Sequence, residues 1–256
     1  MSRPVVTVPG HKPGASIGPP ILETVGLFRR FGAIDAVAGV DFTLRPGELR
    51  CLIGPNGAGK STFFRMLTAQ MKPSAGRILF EGHDITGLPP HRVSRLGIGI
   101  KNQTPDLYDN LSAHENIWLS ARFRHGPRLA RSMTATVIEQ FGLTEIATAR
   151  VGKLSHGQRQ WIEFGMVMAL EPKLILLDEP TTGMNAEETD RTADLIRQAA
   201  ARSAIIVVEH DMQFIRQIAE LVTVFHQGRI LAEGPMEEIQ ANPAVREVYL
   251  GRSYRA

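Results

Sequence analysis

The chain has 256 residues, 43% hydrophobic and 21% charged, which are globular proportions that exclude a fibrous or wholly disordered class and leave room for a substantial core. Its formal net charge of +3 is spread along the chain, and the one local basic cluster, Arg122–Arg131, reads as solvated surface, so no nucleic-acid partner is expected. A single cysteine, Cys51, excludes an intrachain disulfide, and apolar runs such as Phe164–Leu170 fall far short of the roughly 20 residues that span a bilayer.

In chain order, residues 1–20 are rich in Gly and Pro and lack a signal-peptide core, so they read as a flexible tail of a cytoplasmic chain. Ile21–Thr24 and Asp35–Leu44 read as an antiparallel pair ending at the turn Arg45-Pro46-Gly47. The mostly apolar run Leu49–Ile53, in which Cys51 is expected to be buried, predicts a strand that enters a Gly-rich loop. Ser61–Gln70 then places Phe63, Met66 and Leu67 on one helical face. Residues 89–153 read as a helical insertion with helices over Ala113–Phe123 and Met133–Phe141. The apolar strands Leu174–Leu177 and Ala204–Val208 alternate with helices near Ala186–Arg202 and Met212–Glu220, the pattern of a parallel sheet buried on both faces. A hairpin at Gln227-Gly228 and a polar helical tail follow. The expected fold is α/β: a single domain over 21–252 with a mainly parallel core sheet, an antiparallel β subdomain and the helical insertion, and 253–256 as a tail.

GPNGAGKST at Gly54–Thr62 fits the G-x-x-x-x-G-K-[ST] pattern. Gly54, Gly57 and Gly59 let the backbone around Asn56 turn its N–H groups toward phosphates, Lys60 adds a compact positive charge, and Ser61 and Thr62 open a helix whose N-terminus favours anions. Such a loop implies a nucleotide with Mg²⁺ on the Ser61 hydroxyl, but kinases, GTPases, helicases and transport ATPases all use one. Further along, Asp178 and Glu179 stand at the carboxyl end of a buried strand, where open α/β sheets bind ligands. Asp178 suits the metal and Glu179 suits the general base, although both can also merely cap the next helix. His210, after the strand Ala204–Val208, reads either as a structural histidine or as a partner for the γ-phosphate or for Glu179.

LSHGQRQ at Leu154–Gln160 opens a helix ahead of the acidic pair. Through Leu154, Ser155, Gly157 and Gln158 it resembles the LSGGQ signature of the ABC ATPase family, with His156 in place of a glycine. The resemblance covers Ile21–Arg252 and implies ATP hydrolysis by a head-to-tail pair, each signature completing the ATP site of the other subunit. It implies that Phe31 stacks on adenine, that Gln103 links Mg²⁺ and water to a transmembrane partner, and that Asn185 belongs to a loop speaking across the dimer. Two departures stand out: Asn102 replaces the usual aromatic before Gln103, and His156 gives up glycine's dihedral freedom beside the γ-phosphate.

One cassette with a short insertion resembles transporter subunits more than DNA-maintenance or translation relatives. A catalytically silent regulatory module is the remaining alternative, against which Lys60, Asp178, Glu179 and His210 all speak. GELRCLIGPNGAGKST, LSHGQRQWIEFGM, VVEHDM and the C-terminal EGPMEEIQANPAVREVYLGR resemble the branched-chain and hydrophobic amino-acid uptake group, most of all its urea and short-chain amide members. That implies a peripheral subunit on the cytoplasmic face of the membrane. Its implied partners are a second ATPase subunit, identical or different, permease subunits and, indirectly, an external solute-binding protein.

Overall fold

The computed structural model describes residues 18–103 and 106–250, so most of the two expected tails, and Thr104 and Pro105, lie outside the described residues. Two sheets organise the chain. The first has the order β2-β1-β4-β5, built from β1 (Leu22–Phe31), β2 (Ile34–Leu44), β4 (Ala75–Phe80) and β5 (His83–Asp84), all antiparallel. β1 continues to Phe31, beyond the expected Thr24, so the hairpin turns at Gly32-Ala33 and the Arg45–Gly47 turn leads instead into β3 (Leu49–Ile53).

The second sheet has the order β10-β9-β3-β8-β7-β6. Its β3, β6 (Ile98–Lys101), β7 (Leu174–Asp178), β8 (Ala204–Val208) and β9 (Leu221–His226) run parallel, while β10 (Arg229–Gly234) is an antiparallel edge after the Gln227-Gly228 turn. Strand side chains alternate between two apolar cores. Cys51, Ile175, Leu177, Ile205 and Val207 face one core; Leu52, Leu174, Leu176, Ile206 and Val208 face the other. Burial on both faces is why these strands are continuously apolar.

Against the second core packs α1 (Lys60–Leu67), which buries Phe63, Phe64, Met66 and Leu67 beneath the antiparallel sheet. Against the first pack α3 (Ala113–Arg124), α4 (Pro127–Gln140), α5 (His156–Met168), α6 (Ala186–Ala200) and α7 (Met212–Ile218). The range 89–153 is not purely helical. It contains α2 (Pro90–Arg95) and then the sheet strand β6, and only after Asp106 does it supply α3, α4 and two short 3₁₀ turns. Two short C-terminal helices, α8 (Met236–Ala241) and α9 (Pro243–Leu250), close the chain. Among the described residues, no helix is long and apolar enough to cross a membrane.

Candidate functional site

The loop between β3 and α1 lines a cleft of about 500 Å³ together with Phe31, Ile34, Glu179, Gln227 and Gly228. Asn56, Gly57, Gly59, Lys60, Ser61 and Thr62 all contribute to its wall. Two glycines are dictated by space as well as by angle. Gly54 has φ 150°, and a Cβ there would collide with the Phe225 carbonyl; Gly59 has φ 105°, and a Cβ there would collide with the Ala36 carbonyl. Gly59 caps α1, whose first N–H groups have no acceptor within the helix, as at every helix start. The Lys60 ammonium folds back to donate to the Gly54 carbonyl at 2.6 Å and the Pro55 carbonyl at 3.2 Å. Burial lowers the Lys60 pKa below the ordinary lysine value, while the Glu179 and Asp178 charges oppose that shift. Phe31, at the end of β1, is 43% exposed at the lip of the cleft, with the Arg29 guanidinium 4.9 Å from its ring centre.

Asp178 ends β7, and burial together with the neighbouring Glu179 charge raises its pKa above the usual carboxylate value. Glu179 follows in a left-handed conformation, φ 44°, which its N–H secures by donating to the Val208 carbonyl at 2.9 Å. This turn brings the Glu179 side chain into the cleft wall. There one carboxylate oxygen accepts from Gln103 Nε2 at 2.8 Å and from Thr182 Oγ1 at 3.1 Å. His210 Nδ1 stands 3.6 Å from the other oxygen, beyond hydrogen-bond reach, and the ring is 67% exposed. Beside it Glu209 is 1% exposed and accepts from the Thr181 hydroxyl and from the His210 N–H at 2.7 Å.

The oxygens of Ser61, Asp178 and the Gln103 amide are the hard donors that suit Mg²⁺. Among the described residues no three His, Cys, Asp or Glu side chains cluster into a metal cage. That donor set fits an ion that keeps waters and takes its remaining oxygens from phosphates.

Ser155, Gly157 and Gln158 open α5 and are not among the residues lining this cleft. Ser155 and Gln158 form a capping box, the Ser155 Oγ accepting from the Gln158 N–H at 3.2 Å and Gln158 Oε1 from the Ser155 N–H at 3.1 Å. A Cβ on Gly157 would meet the Glu188 carboxylate, so its lack of a side chain lets α5 approach the start of α6. His156 is in the first helical turn and has no positive φ, so glycine's dihedral freedom is not required at this position. Asn185 caps α6 with Glu188 in a second capping box. Asn102, the other departure, accepts from Gln70 Nε2 at 2.9 Å.

Glu209, Thr182, Gln160 and Tyr249 support the site without being residues that its sequence motifs specify. Tyr249 on α9 accepts a hydrogen bond from the Gly54 N–H at 3.1 Å. Nothing in the local pattern around these residues separates them from ordinary surface or core positions. Only the adjacency of Glu209 to His210 was a visible signal.

A family model described as ABC transporter matches residues 37–182, and one described as branched-chain amino acid ATP-binding cassette transporter matches residues 229–255. The chain is 35% identical over 252 residues to the high-affinity branched-chain amino acid transport ATP-binding protein BraF of Pseudomonas aeruginosa, covering 91% of this chain and 99% of that one. It is 34% identical to the equivalent Escherichia coli protein LivG, with the same coverage. Among solved structures it is similar to an ATP-binding cassette of an ABC transporter in its ADP conformation, with TM-score 0.81 and 27% identity over 91% of this chain and 100% of that one. A nucleotide-free cassette from an ABC transporter gives TM-score 0.80 and 26% identity over 90% of this chain and 98% of that one. The chain belongs to the ATP-binding, ATP-hydrolysing subunits of ABC transporters, in the branched-chain amino acid transport group.

Proposed function

We propose that this ATPase subunit energises uptake of branched-chain amino acids, with urea or short-chain amides as the alternative solutes. The observation that carries the catalytic part is the Glu179 carboxylate, held in the wall of the phosphate-loop cleft by Gln103 and Thr182. The names of BraF and LivG support the amino-acid end of the solute range.

In this reading Phe31 stacks on the adenine, and Gly54, Asn56, Gly57, Gly59, Lys60, Ser61 and Thr62 bind the phosphates through backbone N–H groups, the Lys60 ammonium and the Ser61 hydroxyl. Glu179 accepts a proton from the water that attacks the γ-phosphorus, while the bond from that phosphorus to the bridging oxygen breaks and the oxygen leaves with ADP. Gln103 orients the carboxylate and the water, and His210, whose Nδ1 stands 3.6 Å from Glu179, donates to the charge developing on the γ-phosphate. Ser61, Gln103 and Asp178 would hold Mg²⁺, which when bound would supply positive charge beside the phosphate oxygens. Ser155, Gly157 and Gln158 serve the ATP held by a second ATPase subunit, identical or different. Permease subunits receive the motion through the segment beside Gln103, an external binding protein delivers the solute, and the chain works on the cytoplasmic face of the membrane.

The test is Mg·ATP hydrolysis by the full chain beside Glu179→Gln. The variant is expected to bind ATP like the wild type and to lose at least about 10²-fold in kcat, as loss of a general base does. Near-normal turnover in the variant removes Glu179 from this role.

A further inference from the structure

We propose that His156 is a positioning residue that ties the signature end of α5 to Glu179 of the same chain. The two groups that hold the Glu179 carboxylate, Gln103 and Thr182, sit on separate loops, and each is gripped through its backbone carbonyl by one face of α5. Gln160 Nε2 donates to the Gln103 carbonyl at 3.2 Å. His156 Nε2 lies 3.0 Å from the Thr182 carbonyl and, carrying the proton in that tautomer, donates to it. His156 and Gln160 are four residues apart, which stacks them on one side of the helix, and in that tautomer their side-chain nitrogens, 3.1 Å apart, are two donors with no hydrogen bond between them. The imidazole also lies against Gly183, where a Cβ would come within 3.2 Å of the ring.

The chain of contacts is short. It runs from α5 through His156 to the Thr182 backbone, and from the Thr182 hydroxyl to Glu179 Oε2. A parallel branch runs through Gln160 and Gln103 to the same oxygen. A glycine at position 156 has no side chain with which to reach Thr182, so the first branch exists only because this chain departs from the glycine-containing signature. The inference rests on the reading above, in which Ser155 engages the ATP of the other subunit. Any shift of α5 on that engagement then reaches the Glu179 carboxylate of its own subunit through two loops.

The test compares wild type, His156→Gly, His156→Gln, Thr182→Val and the double variant His156→Gly with Thr182→Val, all as full chains checked for cooperative melting. His156→Gly is expected to lower kcat about tenfold while the KM for ATP moves less than about twofold, because the effect falls on orientation of the base and not on nucleotide binding. His156→Gln keeps an N–H donor at similar reach and is expected to restore most of the turnover. If His156 acts through Thr182, the double variant is no slower than the worse single one. Unchanged kcat in His156→Gly, absence of rescue by Gln, or additive losses in the double variant each overturn the proposal. An inactive wild type sinks the catalytic reading itself; an active wild type matched by His156→Gly sinks only this inference.

Discussion

Glu209 is 1% exposed and takes up the Thr181 hydroxyl and two backbone N–H groups, those of His210 at 2.7 Å and Asp211 at 3.4 Å. Its carboxylate therefore joins the segment after Glu179 to the segment that presents His210, without touching the cleft. Replacing it leaves buried donors unpaired, which costs about 1–3 kcal/mol for such groups. Glu209→Ala is expected to lower the unfolding free energy by that amount, read as a lower urea midpoint at constant slope, and to lower kcat more than it raises the KM for ATP. An unchanged midpoint would mean that water replaces the lost acceptor. The same contrast between chemistry and support explains what could be read at residue scale. Lys60, Ser61, Asp178 and Glu179 are legible because phosphate and metal binding demand particular residue types at fixed spacing. Glu209 and Thr182 are supporting residues whose role arises from loops meeting in space, so no spacing along the chain encodes it.

At the scale of elements, helix starts carry the site. α3, α5 and α6 each begin with a capping box, Ser112 with Glu115, Ser155 with Gln158 and Asn185 with Glu188. The Glu188 side chain does double service, since it accepts from the Asn185 N–H at 3.1 Å and lies against Gly157 of α5. Asn185→Ala removes the acceptor of the Glu188 N–H, 2.9 Å away, and is expected to cost about 1 kcal/mol, seen as a lower thermal midpoint. A midpoint equal to wild type would show that α6 is held by packing alone.

Elements whose burial dictates composition were legible. β8 is buried throughout and spans the expected Ala204–Val208, and β7 runs one residue past the expected Leu177, to Asp178. β4 has no legible signal in the sequence, because AGRILF is exposed over its first half and shows no clean alternation. β6 was absorbed into the helical range because Ile-Gly-Ile-Lys is too short and too rich in Gly to announce a strand. Its Gly99 is required by contact, since a Cβ there would press on Val167 of α5 at 2.6 Å and on Pro172 at 3.1 Å. α4 starts at Pro127, earlier than the expected Met133, because proline is at home in the first helical turn, where its missing N–H costs nothing.

For the whole molecule, the parallel sheet gathers the chemistry at one end. β3 delivers the phosphate loop, β7 the acidic pair, β8 His210 and β6 Gln103, all from carboxyl ends of neighbouring strands. Cys51, in the middle of β3, is fully buried, and burial raises its thiol pKa far above the ordinary value, so it is a core residue with no part in that chemistry. The signature at the start of α5 lies outside the cleft of its own chain, and in the proposed reading the two ends of the machinery come together when two subunits pair.

The direct measurement of that claim is complementation between two inactive full-length variants, Glu179→Gln and Ser155→Arg, mixed at equal concentration with Mg·ATP. Each alone is expected to be nearly inactive, one lacking the base and the other the signature. A mixed dimer contains one intact composite site, so the mixture is expected to recover up to about a quarter of wild-type turnover. If both variants are folded, the wild type is active and the mixture stays inactive, the ATP site is not shared between subunits and the account is contradicted.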